Sequence, residues 1–213
     1  LISLRKQQLA KLDELVKARF VEMFDERYPL FKIGDKLNTT SGGTPSRANS
    51  EFYEDGTIPW LTSGEVNTGT IYAVKNYITQ KGMDHSSAKW IPENSVVVAM
   101  YGATAGQVGL LRIKTTTNQA VCSILPDPAY MPEYLYYAIK SKKTWMIAQC
   151  AGGAQPNISQ SIIKKMQIID APLNVQRQFA VFIGQIEKSK LTIQQSLDKL
   201  ELLKKSLMQE YFG

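Results

Sequence analysis

The segment from Leu173 to Phe212 follows Pro172 and carries Ile186, Ile193, Leu200 and Leu207 at seven-residue steps, with Ile183 and Leu197 on the adjoining row. Proline suits the first turn of a helix, and an apolar stripe with this repeat is the seam of a coiled coil. One continuous helix is therefore expected, and roughly forty residues at about 1.5 Å each make a rod of about 60 Å. A rod of that length is a spacer and not a core element. The chain opens on a second segment of the same kind. Residues 1–28 hold no Gly or Pro, and Ile2, Leu9, Val16 and Met23 step by seven with Leu12 and Phe20 beside them. Six basic and five acidic residues form an ordinary solvated face, and Pro29 is expected to end the helix. KLDELVKARFVEMF at 11–24 also aligns without gaps on KLELLKKSLMQEYF at 199–212, as the ends of two successive repeats would.

Between these rods, residues 30–172 are rich in Gly, Pro, Thr and Ser, with short apolar runs such as IPWLTS, GTIYAV, SVVVAM, VGLLRI and AVCSIL. That texture predicts a β-containing domain with many loops. The exception is 131–151, where Tyr134, Leu135, Ala138, Ile139, Met146 and Ile147 are spaced for one or two helices packed on the sheet, with Lys142 and Lys143 at their junction. The expected class is α+β: a mixed β-sheet domain with packed helices, flanked by long antiparallel helices of coiled-coil type.

YGATAGQVG at 101–109 has three glycines in nine residues but is not a nucleotide site. A Walker loop needs Lys and a hydroxyl after its last glycine, whereas Gln107 and Val108 follow Gly106. The dinucleotide fingerprint fails on spacing, and a strand-like run follows in place of a helix. The simplest reading is a hairpin tip between Val96–Met100 and Val108–Ile113, in which Gly102 and Gly106 serve backbone geometry.

A formal charge of +6 permits an anionic partner without demanding one. Cys122, Cys150 and the lone His85 lack ligand spacing, so no zinc site is expected. No secretory h-region and no apolar stretch near eighteen residues occur, which reads as a cytoplasmic chain with no membrane partner. Asp25, Glu26, Glu54, Asp55 and Glu65 show no spacing that selects an acid–base pair, and His85 lies in a polar stretch. No adenosylmethionine loop, no Asn-Pro-Pro-aromatic stretch and no carboxylate–lysine metal cluster is present. Neither enzymatic activity nor a cofactor is expected.

What does stand out is a set of polar, glycine-punctuated loops: NTTSGGTPSRANSEFY (38–53), LTSGEVNTG (61–69), YGATAGQ (101–107), KTTTNQA (114–120) and GGAQPNIS (152–159). Each places short hydroxyl and amide groups beside closely approachable backbone, which suits phosphate oxygens and base edges as well as ordinary turns.

SGGTPSR with EFY and IPWLTSGEV downstream, VVVAMYGATAGQVGLL, TNQAVCSILP, GGAQPNIS and APLNVQRQFAVFIGQIE, in this order and over nearly the whole chain, resemble the specificity subunits of type I restriction-modification enzymes. The resemblance implies a sequence-specific binder of double-stranded DNA. A full subunit of that family pairs two target recognition domains with two conserved helices, reads a bipartite target, and directs methyltransferase (M) and restriction (R) subunits that carry the catalysis. On this reading 1–28 is the end of one conserved helix, 30–172 is one target recognition domain and 173–213 is the next conserved helix. One domain reads one half of the target, so the chain is expected to be a fragment, part of a split subunit, or a half-subunit that forms a homodimer through its long helices. The rod length would then set the gap between the two recognised halves. Residues expected at DNA are Ser41, Thr44, Arg47, Thr104 and Gln107, with Lys75, Lys81, Lys89, Lys114, Lys142 and Lys143 as phosphate neutralisers. Thr44-Pro45 and Asn118-Gln119 also read as framework that pins loops. The alternative is an assembly scaffold that binds no DNA.

Overall fold

A computed structural model describes residues 1–150 and 157–212, without the side chains of 67, 68, 211 and 212. In chain order the elements are α1 (Ile2–Met23), β1 (Leu30–Lys32), α2 (Ile33–Lys36), β2 (Thr39–Ser41), β3 (Ile58–Leu61), β4 (Thr70–Ile71), β5 (Tyr77–Ile78), α3 (Gln80–Asp84), β6 (Trp90–Ile91), β7 (Val96–Ala99), β8 (Val108–Leu111), β9 (Thr115–Thr117), β10 (Val121–Ile124), α4 (Pro132–Lys140), α5 (Lys143–Ala148), α6 (Gln160–Lys165), β11 (Gln167–Ile169) and α7 (Leu173–Phe212). Turns of 3-10 helix lie at Ser50–Phe52, Ser63–Thr68 and Gly102–Thr104. They form two compact units, Leu1–Arg27 with Ala171–Gly213, and Tyr28–Asp170.

The first unit is an antiparallel pair of α1 and α7. The heptad rows face each other: Val16, Met23, Phe179, Ile183, Ile186 and Leu197 are buried, and Leu9, Leu12, Phe20 and Ile193 are half-buried. Ion pairs Asp13–Lys190 (2.7 Å) and Lys6–Glu201 (3.0 Å) follow the same register along the rim. The helix α7 begins one residue after Pro172, where the sequence places it. In contrast, α1 stops at Met23 and does not run to Tyr28. Phe24 leaves helical geometry, and its ring sits 4.9 Å from Phe20 and 5.3 Å edge-on from Phe179, so an aromatic cluster ends the helix before Pro29 is reached. Among the described residues no helix is long and apolar enough to cross a membrane.

The second unit stacks a five-stranded sheet, β2-β10-β7-β8-β4, on a four-stranded one, β5-β3-β9-β6. Pairing is antiparallel except at β4/β8 and β3/β9, which are parallel. β7, β8 and β10 are buried at every residue, as their unbroken apolar runs predict. Leu61 and Ile91 of one sheet pack with Val97, Ala99, Leu111 and Val121 of the other. Burial pushes the Cys122 thiol on β10 up to about 12, so it packs as a neutral side chain. α4, opened by Pro132, covers the sheet with Tyr134, Leu135, Ala138 and Ile139. The unit is closed at its ends by the β1/β11 pair, where Asp170 takes hydrogen bonds from Lys36 and Tyr130.

Candidate nucleic-acid interface

Strand pairing brings the polar loops together. Ser41 at the exit of β2 lies beside Cys122, which lies beside Val98 near the exit of β7. The loops leaving β2 and β7 and the one entering β10 therefore share one end of the five-stranded sheet. β8 starts there because it is antiparallel to β7, and β4 starts there because it is parallel to β8. β3 leaves at the same end, since Asn118, just past the parallel β9, donates to Leu61 O at 3.0 Å. Of the loop 152–159, residues 152–156 lie outside the described residues; Asn157 bridges Tyr101, and Ile158 N donates to Met100 O at 2.9 Å. Four of the polar loops, and residues 157–159 of the fifth, thus reach one end of the unit.

The SGGTPSR loop is held at consecutive residues. Gly43 N donates to Thr117 O at 2.9 Å, Trp60 Nε1 donates to Gly43 O at 3.0 Å, the Thr44 hydroxyl donates to Gln119 Oε1, and the Tyr53 hydroxyl donates to Pro45 O at 2.5 Å. Gly42 presses so closely on Thr117 that a Cβ there would fall 1.8 Å from its carbonyl oxygen. The YGATAGQ tip is equally fixed: Gly106 N donates to Ala99 O at 2.8 Å, Gln107 N donates to Thr104 O at 2.9 Å, and Gly102 and Gly106 take φ of 75° and 77°, where glycine alone is unstrained. Glu65 organises the third loop, accepting from Thr62 Oγ1, Lys75 N and Asn76 Nδ2, so its charge is turned inward.

Arg47, Lys75, Lys89 and Lys143 are exposed at this end, and among the described residues their side chains form no ion pair. Lys143 runs beside Gly106 of the tip. Thr104 and Gln107 are half-buried in the tip, and Ser41 is half-buried at the mouth of β2. Two expected cations stand apart, and a third is less exposed. Lys81 is on α3 beyond the far end of β5, bound to Glu51, whose carboxyl it holds below the usual range. Lys114 precedes β9 at the opposite end and lies over the Trp90 ring, 4.7 Å from its centroid. Lys142 is half-buried at the start of α5. The sequence reading did not single out Asn76, Tyr101 or Asn157, which lie at the loop end; Tyr101 and Asn157 fall within its polar loops, whereas Asn76 had no signal. Gln119, read as framework, does pin a loop by accepting from Thr44. Among the described residues no group of His, Cys, Asp or Glu could hold a metal. What remains is an end that gathers exposed cations, hydroxyls and amides on hydrogen-bonded loops.

Residues 26–202 match the family described as the type I restriction modification DNA specificity domain. Over 186 residues the chain is 27% identical to the type I restriction enzyme EcoR124I/EcoR124II specificity subunit of Escherichia coli, covering 84% of this chain and 46% of that protein. Over 141 residues it is 33% identical to the HindI specificity subunit of Haemophilus influenzae, covering 64% of this chain and 30% of that protein. The solved HsdS subunit from Thermoanaerobacter tengcongensis has a similar fold, with a TM-score of 0.66 at 14% identity over 99% of this chain and 53% of that one. The S subunit from M. genitalium matches with a TM-score of 0.60 at 13% identity, over 100% of this chain and 59% of that one. The chain spans about half the length of the E. coli relative it matches.

Proposed function

The chain belongs to the type I restriction modification DNA specificity family, and on that premise we propose that its residues 30–172 are a target recognition domain that reads one half of a bipartite site in double-stranded DNA. The observation that carries this reading is the convergence at one end of the sheets of the described polar loops and of four cations, Arg47, Lys75, Lys89 and Lys143, that form no ion pair among the described residues. Lysines there neutralise phosphates while hydroxyl, amide and guanidinium groups meet base edges. Ser41, Thr44, Thr104 and Gln107 belong to this surface; Lys81, Lys114 and Lys142 contribute from its margins at most.

The helices α1 and α7 dock methyltransferase and restriction subunits, and a second copy, joined through the long helices, supplies the other half-site. Two identical domains then read identical half-sites related by a two-fold axis. The chain works in the cytoplasm as a specificity component. Methylation and cleavage belong to its partner subunits, and it catalyses no reaction itself.

Binding to a target duplex, measured against salt for the complex with its methyltransferase subunit, tests the surface. Each of Lys75→Ala, Lys89→Ala and Lys143→Ala should lower the slope of log affinity against log salt by about 0.9. A base-resolved methylation map then names the motif: a symmetric bipartite motif marks a homodimer, and an asymmetric one marks a second, different domain. Salt-insensitive binding and no motif from a verified complex would leave only a scaffold.

A further inference from the structure

Two arginines lie in the unit Tyr28–Asp170, and the fold treats them oppositely. Arg112 is consumed internally, its guanidinium donating to Asn94 Oδ1 and Glu133 Oε1. Arg47 is exposed, and among the described residues its side chain makes no hydrogen bond or ion pair. Yet the backbone leading to it is held at Gly43, Thr44 and Pro45. A free guanidinium on a fixed seat is preorganised for an external acceptor, because only the side chain has still to be ordered.

What Arg47 overlooks is specific. With Tyr53, Trp60 and Asn76 it lines an open pocket of about 270 Å³. The two rings meet edge-on with centroids 5.9 Å apart, and their polar atoms are turned away to Pro45 O and Gly43 O, so they offer the pocket apolar surface. Burial raises the Tyr53 hydroxyl, and Arg47 is near enough for its charge to pull against that rise. Asn76 has its amide fixed by chemistry: Nδ2 donates to Glu65 Oε1 at 2.9 Å, and an ionised carboxylate only accepts. The carbonyl Oδ1 therefore occupies the other end of the amide, and among the described residues no donor reaches it.

The pocket presents a two-pronged donor and one acceptor. In the major groove a guanine–cytosine pair shows two adjacent acceptors, N7 and O6, and then the cytosine N4 donor, whereas an adenine–thymine pair interposes a donor between its acceptors. We infer that Arg47 and Asn76 together read one guanine–cytosine pair of the target, Arg47 donating to guanine N7 and O6 and Asn76 Oδ1 accepting from cytosine N4. This assignment rests on the DNA-reading function proposed above and adds the pair that is read and the groups that read it.

The test is a base-resolved methylation map from cells carrying the full chain and its methyltransferase subunit, for the unaltered protein, Arg47→Lys, Arg47→Ala and Asn76→Ala. All three variants should assemble and melt as the unaltered complex does. They should keep every other position of the motif while discrimination at one and the same guanine–cytosine pair falls by about ten- to a hundred-fold. Arg47→Lys is decisive because it keeps the charge but loses the fork. An unchanged motif with Arg47→Lys and uniformly weaker methylation with Arg47→Ala would make Arg47 a phosphate contact and overturn the assignment. Relaxation at an adenine–thymine pair, or at different positions for Arg47 and Asn76, would overturn it too. No motif with the unaltered chain would overturn the specificity reading and this assignment with it.

Discussion

Gly42→Ala puts the seat of the SGGTPSR loop to the test. The added Cβ would fall 1.8 Å from Thr117 O and 2.4 Å from both Thr117 C and Oγ1. Thr117 is wholly buried in β9, so no flexible side chain can swing aside. An ordinary carbon–oxygen contact is about 3.3 Å, which asks the loop and the strand to part by about 1.5 Å. That movement breaks Gly43 N to Thr117 O, now 2.9 Å, and Trp60 Nε1 to Gly43 O, now 3.0 Å. Counted as about 1–3 kcal/mol for each of the two hydrogen bonds broken, a loss of about 2–6 kcal/mol is expected.

Urea unfolding measures that loss, and the methylation motif measures its consequence, since the displaced loop carries Thr44 and Arg47. Gly64→Ala is the control: a Cβ there meets nothing within 4 Å, and stability should stay within about 0.5 kcal/mol. If Gly42→Ala matches Gly64→Ala in stability and leaves the motif unchanged, the close approach to Thr117 is not what seats the loop, and the reasoning fails.

Phe179→Ala removes the ring that Phe20 and Phe24 meet edge-on at 5.5 and 5.3 Å; thermal melting followed by helical circular dichroism should show the helix pair weakened by about 3–5 kcal/mol, with Leu202→Ala, on a residue 70% exposed, as the neutral control. Burial raises the Asp170 carboxyl, but hydrogen bonds from Lys36 and Tyr130 outweigh it and hold the group below its ordinary 3.8. A depressed carboxyl stabilises the fold above that ordinary value, and the contribution is lost as pH falls through the folded value. Denaturant midpoints measured below pH about 4 should therefore drop less steeply for Asp170→Asn than for the unaltered chain.

The sequence carried the long rod to the residue, because Pro172 fixes its start and the heptad row persists. It overshot α1, because FDERY at 24–28 is compatible with a helix until Phe24 finds Phe179, a partner far along the chain. The β7–β8 hairpin was legible as two unbroken runs around a glycine tip. β5 and β6 were not, since a two-residue strand has no period to read, and of the run GTIYAV only the two residues of β4 pair. The polar loops were legible one by one, but their meeting at one end was not. It depends on the parallel pairings β4/β8 and β3/β9, which no local pattern encodes. Asn76 was invisible for the same reason, because its amide is aimed by Glu65 from a neighbouring loop.

The same geometry ranks the expected contacts by what each must give up. For its hydroxyl to meet DNA, Thr44 must leave Gln119, at a cost of about 1 kcal/mol for an ordinary hydrogen bond, and the loop loses a pin in the process. Lys81 must leave Glu51. Arg47, Lys75, Lys89 and Lys143 surrender no such partner among the described residues, so affinity should rest on these four. Lysine reads charge and not sequence, which leaves Arg47 as the cation among them able to discriminate. Thr44, Gln119, Gly42 and Gly43 serve recognition indirectly, by holding still the short segment from which Arg47 projects.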